Sequence, residues 1–277
     1  MLWLDSGGLA NFVWCIVGLM KRISFLVAIT MASLGLAQFI KPQPPIRYQY
    51  KVVKTFPHDR NAFTQGLEYR DGVLYEGTGL NGRSSLRRVR LENGEVLQKV
   101  EVPGQYFGEG ITVLKDRILQ LTWKAEEGFI YDRKTLKQTG KFSYKGEGWG
   151  LTSDGKQIFM SDGSAEIRVW DCVTLKELRR ITVRNGGTPV SELNELEYID
   201  GEIWANVWQS DVILRVNPAD GHVNGIVDMR GILSATDAAG GQPDVLNGIA
   251  WDAVGKRLFV TGKLWPKIYQ IEVSRKP

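Results

Sequence analysis

The sequence reads as an all-β protein, and three observations carry that reading. Beyond residue 47 there is no amphipathic helix of useful length, short Val/Ile/Leu/Tyr/Trp runs alternate with Asp-Gly, Asn-Gly and Gly-Lys turns, and one strand–turn–strand pattern recurs five times. The copies are QGLEYRDGVLYEGTG from Gln65, EGITVLKDRILQLTW from Glu109, WGLTSDGKQIFMSDG from Trp149, NELEYIDGEIWANVW from Asn194 and NGIAWDAVGKRLFVTGK from Asn247. Their starts lie 44, 40, 45 and 53 residues apart, the length of one four-stranded propeller blade. The predicted architecture is a five-bladed β-propeller with four-stranded antiparallel blades.

The elements follow in order. Residues 1–37 have the parts of an export signal: the basic Met20-Lys21-Arg22, the apolar run Ile23 to Ser33, and a small-x-small cleavage site at Gly35-Leu36-Ala37. Met20 is itself a candidate start, because residues 1–19 add a second apolar stretch that a signal does not need. The other reading is an uncleaved anchor, since a bilayer needs ~20 apolar residues. Both place the folded part outside the cytoplasm, periplasmic or secreted. Residues 38–47, with Pro42, Pro44 and Pro45, form an extended linker, and residues 48–277 a single propeller domain. The last repeat ends too early for a fourth strand, so the segment Tyr48 to Thr55 is expected to supply it, closing the ring and covering a sheet edge. A ring without open edges is expected to be monomeric. Cys172 is the only cysteine after the cleavage site, which leaves no intrachain disulfide and assigns stability to core burial.

Composition narrows the function. A net charge of +4 from 35 basic and 31 acidic residues is too small and scattered for a nucleic-acid stripe. Two histidines, His58 and His222, cannot build a His-rich catalytic zinc site.

Equivalent repeat positions become neighbours around a propeller's axis. The first position gives Gln65, Glu109, Trp149, Asn194 and Asn247. Fourteen residues on stand Trp123 and Trp208, and the fifth repeat, with two extra turn residues, has Lys263. Together they are one carboxylate, one ammonium, three indoles and three carboxamides, a make-up suited to a small-molecule pocket. Glu109, flanked by Gly108 and Gly110, has no local partner to explain it structurally. Trp170, Trp204, Trp251 and Trp265 fall outside the register and are assigned to the core. Glu68, Asp162, Glu195 and Glu197 are assigned to pairing with arginines between blades.

At these residues the sequence resembles the plant-type glutaminyl cyclases, the glutaminyl-peptide cyclotransferases that also have bacterial members. The matching strings are FTQGLEY at 63–69, FGEGIT at 107–112, LTWK at 121–124, EGWGLT at 147–152, LNELEY at 193–198, ANVW at 205–208, LNGIAWD at 246–252 and TGKLWP at 261–266. The resemblance implies a five-bladed propeller that turns an N-terminal glutamine of a peptide or protein into 5-oxoproline with release of ammonia. It carries over functional roles to Gln65, Glu109, Trp123, Trp149, Asn194, Trp208 and Lys263; Asn247 is added from the register alone. Glu109 is the expected proton shuttle, Asn194 and Lys263 the oxyanion donors, and the others substrate-binding groups. The chemistry requires no cofactor, and the resemblance allows a structural calcium ion in the central channel. Two other readings compete: a peptide- or sugar-binding propeller without turnover, and a six-bladed calcium-dependent lactonase, whose site needs more inward carboxylates than this ring offers.

Overall fold

The computed structural model describes residues 43–277; the segment predicted as export signal or anchor and the start of the linker lie outside the described residues. Three four-stranded antiparallel meanders follow one another. They are β2 (Thr64–Arg70), β3 (Val73–Thr78), β4 (Ser85–Val89) and β5 (Val96–Glu101); β6 (Gly108–Leu114), β7 (Arg117–Thr122), β8 (Glu127–Asp132) and β9 (Gln138–Ser143); and β10 (Leu151–Ser153), β11 (Gln157–Ser161), β12 (Glu166–Asp171) and β13 (Glu177–Thr182). A two-stranded hairpin, β14 (Arg184–Asn185) and β15 (Thr188–Pro189), precedes a larger sheet. That sheet holds β16 (Leu193–Ile199), β17 (Glu202–Val207), β18 (Val212–Val216), β19 (Val223–Asp228), β20 (Leu246–Asp252), β21 (Arg257–Gly262), β22 (Lys267–Arg275) and the first strand, β1 (Ile46–Pro57). Its eight strands run β16-β17-β18-β19-β1-β22-β21-β20.

The predicted closure by the N-terminal strand is present. β1 pairs antiparallel with β22 along nearly its whole length and, through Ile46 to Gln49, parallel with β19. It therefore completes one four-strand run and joins it to the previous one, which is why two runs merge into one sheet. Both outer strands lose a free edge in the process.

The molecule is propeller-like. The first strands touch in the order β2, β6, β10, β16 and β20, and β20 returns to β2. They are buried on both faces, as in Gly108–Leu114, whereas the fourth strands β5, β9 and β13 are largely exposed. Apolar side chains fill the seams between neighbouring runs. Leu67, Phe259 and Ile268 pack at one junction, Ile111, Ile118 and Phe129 at the next, then Leu121, Met160 and Trp170, then Val169, Leu196 and Leu214, then Trp204, Ile249 and Val260. Fully burying one such side chain contributes ~1.5–3 kcal/mol. Trp170, Trp204 and Trp265 lie in these seams as expected.

The long spacing before the fifth repeat reflects an insertion. Residues 229–245 leave the sheet and carry α1 (Ala235–Ala238), capped by the side chain of Ser234 accepting from the Asp237 amide. Among the described residues no helix is long and apolar enough to cross a membrane.

The acidic residues assigned to inter-blade arginine pairs behave differently. Glu195 accepts from the amides of Leu67 (3.2 Å) and Ile249 (2.9 Å), and Glu197 from the amide of Trp251 (2.8 Å). Glu68 accepts from the amide of Val113 (2.7 Å) and pairs with Arg70 two residues along its own strand. These carboxylates link first strands to one another through backbone donors that the ring would otherwise leave unpaired. Asp162 pairs with Arg168 at 2.9 Å, but that arginine also lies within the same four-strand run, so none of the four acids forms the expected arginine pair between blades.

Candidate active site

The site forms where the first strands begin, and a ladder irregularity marks four of the five positions, the exception being Trp149 ahead of β10. Pairing register shifts between Thr64 and Gly66, Gly108 and Ile111, Leu193 and Leu196, and Leu246 and Ile249. A bulge takes one residue out of the in/out alternation and re-aims its side chain. The residues caught in these bulges include Gln65, Glu109, Asn194 and Asn247, and all four are buried. The strands can converge this closely because glycine follows the site residue. The Gly110 amide donates to the Trp149 carbonyl at 2.7 Å, and a Cβ on Gly150 would stand 2.1 Å from the Asn194 carbonyl oxygen.

Four predicted residues form one cluster. The side-chain amide of Gln65 lies beside the carboxylate of Glu109, and the ammonium of Lys263 faces the same carboxylate. Asn247 stands behind them, its Nδ2 donating to the Thr64 carbonyl (2.9 Å) and to Gln65 Oε1 (3.3 Å). Glu109 and Lys263 are each only 4% exposed. Burial pushes Glu109 well above the ordinary carboxylate range, while the charge of Lys263 and the Gln65 amide beside it pull it back and the like charge of Glu147 adds to the rise. Burial likewise lowers Lys263, opposed by Glu109 and by Asp244 from the 229–245 insertion. Asn194 occupies the equivalent position on β16, buried, with its Oδ1 lacking any partner. Such an atom is costly to leave unpaired and is available to a ligand.

Above the buried cluster lies an aromatic wall. Trp123 and Trp208 are 36% and 38% exposed and Trp149 is half-buried, so their rings border solvent. Trp149 meets Trp208 edge-on with centroids 5.8 Å apart, and Trp123 meets Phe107 at 5.7 Å. Phe107 in turn meets Phe63 at 6.0 Å, and Lys263 Nζ sits 4.9 Å from the Phe63 centroid. Where the register has glycine instead of tryptophan, a neighbouring ring fills the space. A Cβ on Gly79 would strike the Phe107 ring at 2.3 Å, and one on Gly163 the Trp149 ring at 2.6 Å.

The sequence reasoning missed three members. Phe63 and Phe107 extend the wall, and Glu147 is a second carboxylate at a site expected to hold one. All three stand two residues ahead of the first position of their repeats, at 63, 107 and 147 before 65, 109 and 149, so extending the register two residues toward the N-terminus would have found them. His58 is buried away from this set, its Nε2 against Glu76 Oε1 at 2.9 Å and its Nδ1 against the Trp265 carbonyl at 2.7 Å.

A calcium ion finds no carboxylate cage here. The channel acids Glu68, Glu195 and Glu197 have their oxygens engaged by backbone and side-chain donors, and among the described residues no group of three or more His, Cys, Asp or Glu side chains is placed to hold an ion. The chemistry below is assigned to protein side chains alone.

A buried carboxylate and a buried lysine side chain beneath partly exposed indoles, on a propeller-like ring of sheets, make the candidate active site of an enzyme. The chain belongs to the glutamine cyclotransferase family, which it matches over residues 25–273. It is 47% identical over 235 residues to the glutaminyl-peptide cyclotransferase of Arabidopsis thaliana, an alignment covering 82% of this chain and 72% of that protein. It is also similar to the crystal structure of Myxococcus xanthus glutaminyl cyclase, at 32% identity and a TM-score of 0.78, covering 84% of this chain and 100% of that one.

Proposed function

We propose that this chain is a five-bladed propeller enzyme that converts the N-terminal glutamine of peptides or proteins to pyroglutamate and releases ammonia. Family membership supports the reaction, and the ring of five first strands with its five apolar seams supports the blade count. The observation that carries the chemistry is the buried Glu109, beside Gln65 and facing Lys263 at the foot of the tryptophan wall.

Nucleophile and electrophile belong to one substrate residue, so the first task is to fold the glutaminyl side chain back on its own amine. Trp123, Trp149 and Trp208 supply the mould, and Gln65, held by Asn247, offers polar groups to the substrate amide. The α-nitrogen bonds to the γ-carboxamide carbon, giving a tetrahedral centre with an oxyanion. Asn194 and Lys263 donate to that oxygen. Glu109 takes the proton that the α-nitrogen loses and delivers it to the γ-nitrogen; the carbon–nitrogen bond then breaks and ammonia leaves. A carboxyl raised by burial holds a proton closer to neutral pH than an exposed one, which suits it to accept and return one.

The basic-then-apolar stretch from Met20 to Ala37 supports an exported or membrane-anchored enzyme, and the cover that β1 gives the edges of β19 and β22 supports a monomer. The test is ammonia release from a Gln-initiated dipeptide. The protein should turn it over, and Glu109→Gln should lose on the order of 10²- to 10⁴-fold in kcat with substrate binding retained. Dipeptide binding without ammonia release from the unaltered protein would make it a binding module instead.

A further inference from the structure

Glu147 lies in the loop between β9 and β10, and one of its oxygens does two jobs. Oε2 accepts the indole N–H of Trp123 at 2.7 Å and the indole N–H of Trp149 at 2.9 Å. These tryptophans come from different four-strand runs: Trp123 follows β7 and Trp149 precedes β10. Each ring is otherwise held by packing. Trp123 lies against Phe107 and under the Lys124 ammonium at 3.9 Å, while Trp149 lies over Gly163 and against Trp208. Oε1 of Glu147 faces Lys124 Nζ at 3.6 Å. The carboxylate therefore closes an arc of side chains from Lys263 through Phe63, Phe107 and Trp123 to Trp149 and Trp208.

We propose that Glu147 is a positioning residue for this reaction: by drawing two indole N–H groups onto one oxygen, it sets the separation of the tryptophan faces that receive the glutaminyl side chain. This rests on the cyclotransferase reading. A hydrogen bond from a neutral donor to a carboxylate is stronger than a neutral pair and fixes ring orientation as well as distance. Packing alone would leave each indole free to slide on its aromatic neighbour. The same charge also acts at a distance on Glu109, whose other charged or titratable neighbours are Lys263 and Tyr144.

Two substitutions separate these roles. Both indoles use the same oxygen, so Glu147→Gln can keep both bonds on its amide oxygen while losing the charge; Glu147→Ala loses both. The loop is solvent-exposed beyond Oε2, so neither change is expected to lower Tm by more than a few degrees. With a Gln-dipeptide as substrate, Glu147→Ala should raise KM by about tenfold or more, and acrylamide should quench its indole emission more readily than that of the parent protein. Glu147→Gln should stay within about threefold of the parent KM. In both variants the acid limb of the kcat–pH profile should move to lower pH, because a like charge has gone from beside Glu109. An unchanged KM and unchanged quenching in Glu147→Ala, with the parent protein active, would overturn the inference. So would a Glu147→Gln variant as impaired in KM as the alanine variant. An inactive parent protein would instead remove the cyclotransferase reading itself.

Discussion

A methyl group added at Gly150 would sit 2.1 Å from the carbonyl oxygen of Asn194, 2.9 Å from its carbonyl carbon and 2.9 Å from Ser161 Oγ. Two of those atoms are backbone, so no rotamer change relieves the clash, and the start of β16 has to retreat by about 1 Å before ordinary contact is restored. Overpacking of this kind costs ~1–3 kcal/mol, equivalent to roughly 2–10 °C in Tm for a domain of this size. Turnover should suffer more than stability. Asn194, the proposed oxyanion donor, is carried on that backbone, and a ~1 Å misplacement of a positioned group costs on the order of 10²-fold in rate. Gly150→Ala should therefore stay folded at 25 °C yet lose about 10²-fold in kcat/KM for ammonia release from a Gln-dipeptide. Gly104→Ala is the control, since a methyl there meets only Gly82 Cα, at 3.6 Å. Turnover by Gly150→Ala within about threefold of the parent would show that close strand approach does not place Asn194, and the reasoning would fail.

Other perturbations probe separate parts of the structure. Asn194→Ala should lower kcat on the order of 10²-fold with little change in KM; the reverse pattern would make Asn194 a binding group only. Burial raises the Glu195 and Glu197 carboxyls well above their ordinary range, and a neighbouring carboxylate adds to each. A folded pKa above the unfolded one means stability is complete below the unfolded value and is lost as pH climbs through the folded value. His58, raised by its Glu76 partner against the opposing effect of burial, shifts stability in the same direction. Tm should thus fall as pH climbs from the ordinary carboxylate range through the raised folded-state values, and a melt series that is flat or rising there would contradict the assignment. Deleting residues 1–57 removes β1 and strips partners from both β19 and β22. The product should be insoluble or associate through the bare edges, and a monomer with the parent Tm on gel filtration and melting would count against closure by this strand.

Much of this molecule was legible because it repeats. Five copies of one short pattern located all five first strands, and their common first position found Gln65, Glu109 and Asn247 in one cluster and Asn194 on the matching bulge. Register also paired Trp123 with Trp208 and led to Lys263. It could not find contacts that exist once only. Glu147 meets two indoles because two particular loops converge, and Phe107 fills space left by Gly79; with Phe63 they stand two residues ahead of the compared pattern, where the repeats cease to resemble one another. The acids Glu195 and Glu197 misled for a related reason. Their partners are backbone amides on first strands brought alongside by ring closure, and an amide leaves no mark in the sequence of side chains.

The strand that finishes the last sheet is made before every other strand described. Ile46–Pro57 leaves the ribosome ahead of those strands, and its partners Val223–Asp228 and Lys267–Arg275 follow much later. Until they emerge, this segment has no strand to dock on, and contacts of such sequence separation form slowly because a long loop must be closed before they reward it. A growing chain is thereby kept from completing its ring prematurely. Any cellular machinery that threads polypeptides in an extended state has the whole period of synthesis in which to act, and the seam snaps shut only after both ends of the domain are present together.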